Sequence, residues 1–211
     1  GRKYNLKDFQ FSQSYFMFFD KLEKSNYFLD SILKTSKKDW NSRIITHLLS
    51  DPIQDGGQWD MWVNLVNKYG VVPQSEMSES YSSSKSARMN RMITRKLREN
   101  AKVLREESSK NISTDSLEIL KKGMLKDIYK MLTIHLGTPP ENFDWQTRDK
   151  DNNFIRFENE TPQTFFKNHV DLNLDEYVCL INCPMSDKSY NKVYTVEHLG
   201  NVVEGKPIRY L

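Results

Sequence analysis

Residues 54–73 read Gln54-Asp55-Gly56-Gly57-Gln58-Trp59-Asp60-Met61-Trp62-Val63-Asn64-Leu65-Val66-Asn67-Lys68-Tyr69-Gly70-Val71-Val72-Pro73. Trp59, Trp62, Val63, Val66 and Tyr69 keep the three-and-four spacing of an amphipathic helix. Gly70 stands where a left-handed residue ends a helix, and Pro73 blocks any continuation. A glycine pair therefore opens directly onto a helix N-terminus. Without side chains, Gly56 and Gly57 let a second backbone approach closely, and the helix N-terminus adds a modest positive field. Two readings stand: a ledge where an extended peptide pairs its main chain, and a tight turn with no ligand. The stretch is not a phosphate loop, because no glycine-lysine-serine pattern follows it.

Upstream, residues 9–35 are expected to form a long helix, with Ser12 or Ser14 as its cap. Tyr15, Phe18, Phe19, Leu22, Tyr27, Leu29, Ile32 and Leu33 share one broad face, which reads as a packed core rather than a ligand box. A shorter helix is expected over Trp40–Leu49, stopping at Ser50-Asp51-Pro52. Downstream, the serine-rich stretch 78–86 reads as a boundary loop. Two helices follow, from about Met89 to Glu107 and from about Thr114 to Leu136, and together they read as a helical hairpin. Caps are offered by Ser113 to Ser116, and Gly137 with Pro139-Pro140 terminates the pair. Beyond them the period changes to two. Phe143, Trp145 and Thr147, and then Phe154 to Phe157, predict a β-hairpin turning at Asp149 to Asn152. Thr161-Pro162 caps a short helix over Gln163–His169, Tyr177–Ile181 reads as a buried strand, and Asn191–Val196 as another.

Composition bounds the function. The chain has 211 residues, 37% of them hydrophobic, enough for one core with an appendage. A net charge of +3 argues for neither nucleic acid nor membrane overall, and no apolar run approaches a membrane span. No signal peptide is visible at Gly1-Arg2-Lys3-Tyr4. Two cysteines, Cys179 and Cys183, are too few for a disulfide framework and read as small core residues in a cytoplasmic protein. His47, His135, His169 and His198 are scattered without metal-ligand spacing, so no metal or cofactor is assigned. One helix is locally basic, with Arg88, Arg91, Arg95, Lys96, Arg98, Lys102 and Arg105. It reads as a solvated face pairing across the hairpin with Glu118 or Asp127. The alternative is a nucleic-acid or acidic-partner surface through Arg91, Arg95 and Arg98.

Several segments together resemble the aminopeptidase C / bleomycin hydrolase family of papain-like cysteine peptidases. They are Asp55 to Met61 with Val63 to Val66 and Lys68 to Pro73, Leu6 to Tyr15 with Phe19 to Leu29, and Tyr190 to Lys192 with Thr195 to Val203. They spread over nearly the whole chain in the family's order. The resemblance implies an α+β fold, a partial papain-like one, mainly helical with a helical-hairpin insertion and a few antiparallel strands. It divides the chain into 1–84 with the cleft glycines, an insertion at 85–140, and 141–211 opening the second half. It further implies an aminopeptidase acting on peptides, cytoplasmic, hexameric and in some members nucleic-acid-binding, with Asp55, Gly56, Gly57 and Gln58 holding substrate. The family's nucleophile lies in a Gln…Gly-x-Cys-Trp motif upstream of Gly1, and its base histidine and orienting asparagine lie downstream of Leu211. This chain alone is therefore expected to be inactive, and the Phe18/Leu22 stripe to lack a packing partner and weaken the fold.

Overall fold

The computed structural model describes residues 1–110, 112–170, 172–183 and 185–211. Its centre is helix α1, Gln13–Lys34. The Ser12 hydroxyl accepts from the Tyr15 N–H at 3.0 Å, so Ser12 rather than Ser14 caps it. The helix begins four residues later than the apolar pattern predicts. Phe9 to Phe11 stay extended because this strip is held to the chain beyond Gly70. The Ser12 N–H donates to the Val72 carbonyl and the Gln74 N–H to the Gln10 carbonyl, both at 3.0 Å.

Three further helices are short. Helix α2 covers Arg43–Ser50, starting three residues after the expected Trp40, and α3 covers Trp59–Tyr69. In place of a serine loop the chain makes one turn of helix, α4 at Tyr81–Ser84, because Ser80 and Ser83 form a reciprocal capping box. Gly70 has φ +72, and a Cβ there would lie 2.2 Å from the carbonyl of Pro162. Only glycine lets these two backbones meet, and the Val71 N–H then donates to the Pro162 carbonyl at 3.0 Å.

Helices α5 (Ala87–Ser109) and α6 (Thr114–Leu136) form the expected hairpin, and both pack on α1. Met89, Ile93, Leu97, Ala101 and Leu104 are fully buried, as are Ile128 and Leu132 opposite. Each of these Leu, Ile and Met side chains stabilises the fold by about 1.5–3 kcal/mol, and Ala101 by less. Phe18 is also fully buried, its ring 5.1 Å from that of Tyr129 on α6. Leu22 is half-buried and joins the same apolar cluster. The hairpin thus supplies the partner that the sequence reading expected this stripe to lack. Among the described residues, no cross-hairpin ion pair forms with Glu118 or Asp127. Glu118 pairs with Lys121 at 3.0 Å and Asp127 with Lys130 at 4.0 Å, while Arg95–Glu99 and Lys102–Glu106 pair along α5. The seam between the helices is apolar, so charges on the outer faces find neighbours one turn away instead.

Strands β1 (Phe143–Arg148) and β2 (Phe154–Glu160) pair antiparallel, with an irregularity between Phe143 and Trp145. Trp145 gathers Phe9, Phe157 and Phe165 at ring separations of 5.6–5.7 Å. Thr161 caps α7, Pro162–Phe165, which runs on into a π-helical turn, Phe166–Val170. From Leu172 onward the described chain is largely irregular. Neither Tyr177–Ile181 nor Asn191–Val196 is a strand; Tyr194 makes one bridge to Tyr210. Val178 and Leu180 are 65% and 74% exposed, and Cys179 and Cys183 are half-buried free thiols rather than core residues. β-Propensity expresses fit to a pleated, half-buried surface, and these residues have no such surface against them.

The polar face of α3 holds this segment. Asn64 donates to the Lys206 carbonyl at 3.0 Å and accepts the Lys206 N–H at 2.9 Å. Asp60 accepts the Arg209 N–H at 2.7 Å, and buried Asn201 donates to the Met61 carbonyl at 2.9 Å. Gly205 is glycine for this contact, because a Cβ would meet the Asn64 side chain at 2.8 Å.

Candidate functional site

The loop that enters α3 is held from beneath by two buried lysines of α1. Lys21 is 1% exposed. Its ammonium donates to the Ile53 carbonyl at 2.7 Å, the Gln54 carbonyl at 3.2 Å and Asp55 Oδ1 at 2.6 Å. One turn on, Lys24 donates to the Gln54 carbonyl at 2.8 Å, the Gly56 carbonyl at 2.7 Å and Asp20 Oδ2 at 2.8 Å. An ammonium has three N–H donors, and all six here are used. Burying two cations without such partners would cost several kcal/mol each.

Asp55 closes the clamp. It takes the Lys21 bond, a bond from Asn90 Nδ2 at 2.8 Å and one from the Ser86 hydroxyl at 2.9 Å, so the N-terminal end of α5 is tied to the loop. Partial burial pushes its carboxyl upward, but the bonds from Lys21, Asn90 and Ser86 outweigh this and bring it down to about 2. Burial holds the Asp20 carboxyl above its ordinary value against the opposing pull of Lys24 and Lys21. It also lowers Lys21, with Asp55 pulling the other way.

Helix α3 is locked to α1 by a second buried group. Glu23, 3% exposed, accepts from Lys68 Nζ at 2.6 Å and from the Tyr69 hydroxyl. Tyr69 stacks flat on Phe19 with centroids 3.8 Å apart, and burial and then Glu23 raise its hydroxyl well above the ordinary tyrosine range. The two helices thereby flank a groove of about 470 Å³. Phe16, Met17 and Asp20 line it from α1, Met61, Trp62 and Leu65 from α3, and Asp55, Gly57 and Gln58 form its rim.

All four residues expected to meet substrate, Asp55, Gly56, Gly57 and Gln58, are thus brought together, exposed, at one place. Gly56 and Gly57 differ from the other loop glycines. A Cβ on Gly56 would meet nothing within 4 Å, and one on Gly57 only Met61 Sδ at 3.9 Å; neither has a positive φ. Gly70, Gly200 and Gly205 instead have backbone or side-chain atoms at 2.2–2.9 Å from where a Cβ would stand. The Asp55 carboxylate is engaged by α1 and the start of α5, and Gln58 makes no side-chain capping bond.

Sequence reasoning missed Lys21 and Lys24. Their signal was present: two lysines set among Phe18, Phe28 and Leu29, on a helix whose other buried positions are largely aromatic, aliphatic or serine. On the basic helix, Arg98 is committed to the last carbonyls of α2, donating to Leu49 and Ser50 at 2.8 Å. Arg105 donates to the carbonyls of Thr35 and Lys38 beyond α1 and lies over the Trp40 ring at 4.3 Å. Arg91 and Arg95 are exposed. His169 is a structural bridge between Tyr4 at 2.8 Å and Glu160 at 2.7 Å, stacked on Phe157. Among the described residues, no cluster of metal-ligating side chains forms and no helix is long and apolar enough to cross a membrane.

Comparison with known proteins gives a consistent picture. A family model described as Peptidase C1-like family matches residues 1–211. The chain is 47% identical over 206 residues to aminopeptidase C of Listeria monocytogenes, covering 98% of this chain and 46% of that protein. It is 39% identical over 213 residues to bleomycin hydrolase of Gallus gallus, covering 99% and 47%. The crystal structure of PepW from Lactobacillus rhamnosis superposes with a TM-score of 0.98 at 48% identity, covering 100% of this chain and 47% of that one. The chain spans about half the length of the curated relatives it matches.

Proposed function

The chain belongs to the Peptidase C1-like family, and on that premise we propose that it is the part of a cysteine aminopeptidase that holds the substrate's main chain. Its fold is papain-like in part: mainly helical, with a helical hairpin and one antiparallel strand pair. One observation carries the proposal. Gly56 and Gly57 are exposed, Gly57 lines the α1–α3 groove, and neither the space around the pair nor its backbone angles call for glycine. The demand for a missing side chain therefore comes from outside this chain, and an extended peptide lying along the rim supplies it.

The thiolate and imidazole that cleave a peptide bond belong, in this reading, to the rest of the whole protein. Asp55 fixes the ledge and Gly56 and Gly57 present main-chain groups to the peptide. Residues 1–84 carry the ledge, 85–140 brace it from below, and 141–211 begin the second half. We place the whole protein in the cytoplasm as a hexamer, with peptides as its partners. Nucleic acid is the lesser reading, since Arg98 already caps α2.

The test uses the whole protein that contains this chain. It should release a fluorogenic amine from an aminoacyl substrate with a free N-terminus, and lose that activity on treatment with iodoacetamide. Gly57→Val should raise KM far more than it lowers kcat, because a branched side chain on the rim displaces the peptide. Hydrolysis that survives thiol alkylation, or a Gly57→Val protein with unchanged kinetics, would sink the proposal.

A further inference from the structure

Carbonyl groups of Ile53, Gln54 and Gly56 all receive bonds from the ammonium groups of Lys21 and Lys24. In a planar trans peptide unit the N–H lies opposite the C=O of that unit. The N–H groups of Gln54, Asp55 and Gly57 therefore point away from α1, and Gly57 lies on the rim of the groove. Among the described residues none of these three N–H groups donates to another backbone group.

We propose that Lys24 is a positioning residue for the peptide ledge. It fixes the Gly56–Gly57 peptide unit and polarises it, so that the Gly57 N–H becomes a strengthened donor for a main-chain carbonyl of an extended peptide. Lys21 does the same for the Ile53–Gln54 unit and, together with Lys24, for the Gln54–Asp55 unit. The inference rests on the ledge reading above and adds the device that makes the ledge a donor.

The physical case has three parts. Lys24 is 5% exposed, so its charge acts through a poorly screened medium. A hydrogen bond accepted by a carbonyl strengthens the donor at the other end of the same peptide unit, by about 10–30% for a neutral partner, and a charged donor is the stronger kind. Finally, Lys24 has no spare donor to touch substrate, because its three N–H groups are spent on Gln54, Gly56 and Asp20. Whatever it does for a ligand it does through Gly57.

The experiment uses the whole protein that contains this chain, labelled with nitrogen-15. The Gly57 amide is followed first without ligand and then during titration with acetylated, amidated trialanine. Lys24→Met keeps the length of the side chain and removes its donors. Its Gly57 amide proton should move upfield before any ligand is added, and the peptide should bind more weakly, by up to about fivefold, the ceiling set by losing one net hydrogen bond altogether. Lys24→Arg should restore both in part, which a merely structural role would not do for the ligand-free shift. Should Lys24→Met fail to fold by far-ultraviolet circular dichroism, Lys24→Gln takes its place with the same expected signs. A Gly57 shift and a peptide affinity that match the unaltered chain would overturn the inference. If the peptide leaves the Gly56 and Gly57 signals of the unaltered chain unmoved, the ledge reading falls, while the ligand-free shift still decides the polarisation.

Discussion

The helical body and the segment from Leu172 to Leu211 are held by different forces. In the body, α1, α5 and α6 meet through side chains with no exposure at all, Phe18, Leu97, Leu104 and Ile128 among them. Beyond Leu172 the apolar residues Tyr177, Val178, Leu180, Ile181, Val193 and Val196 are exposed. Leu174 and Ile208 are buried there, and polar bonds do the rest: Asn64 to both backbone groups of Lys206, Asp60 to the Arg209 N–H and Asn201 to the Met61 carbonyl. Apolar burial is shared among many partners and fails as a unit, whereas a few hydrogen bonds hold a segment that opens by itself.

The largest break in this contrast comes from the body. Phe18→Ala should destabilise the whole chain by about 3–5 kcal/mol, read as a lower urea midpoint by circular dichroism. A shift under 1 kcal/mol would show that the α5–α6 hairpin does not carry the fold. Asn64→Ala should cost about 1–3 kcal/mol locally. Amide exchange should quicken at residues 201–209 and stay unchanged in α5 and α6; equal quickening in both regions would erase the distinction between them.

An acid titration sharpens the place of the loop between these two regions. The Asp55 carboxyl sits at about 2 against an ordinary value of 3.8, so its contribution to stability is complete above 3.8 and fades as pH falls through about 2. Asp55→Asn should therefore lower stability near neutrality and flatten that part of the acid limb, read as urea midpoints across pH. An unchanged acid limb would contradict the Lys21–Asp55–Asn90 clamp. The smallest effect belongs to the exposed segment: Leu180→Ser should alter stability by no more than about 0.5 kcal/mol, and a larger loss by thermal melting would place Leu180 in a core.

Local rules made much of this legible. The α5–α6 hairpin, the α6 boundaries Thr114–Leu136, the Thr161 cap and the β-hairpin follow from periodicity and capping chemistry, which act within a few residues. The glycine pair could be seen as a special backbone position, though its neighbours could not. Where readings failed, a distant partner decided. The Phe9–Phe11 strip is extended because Val72 and Gln74 pair alongside it. Tyr177–Ile181 has the composition of a strand and no surface to be one.

Sequence alone supplied the helical hairpin and the glycine pair at the start of α3, each written in a short run of neighbours, and the family resemblance, carried by collinear motifs across nearly the whole chain. Tertiary structure alone decided that Lys21 and Lys24, some thirty residues away along the chain, hold the carbonyls of the loop before α3. It alone decided that Phe18 finds its cover in α6. A charge on a helix reads as solvated until the fold removes its water, and only then must its partners be found elsewhere in the chain.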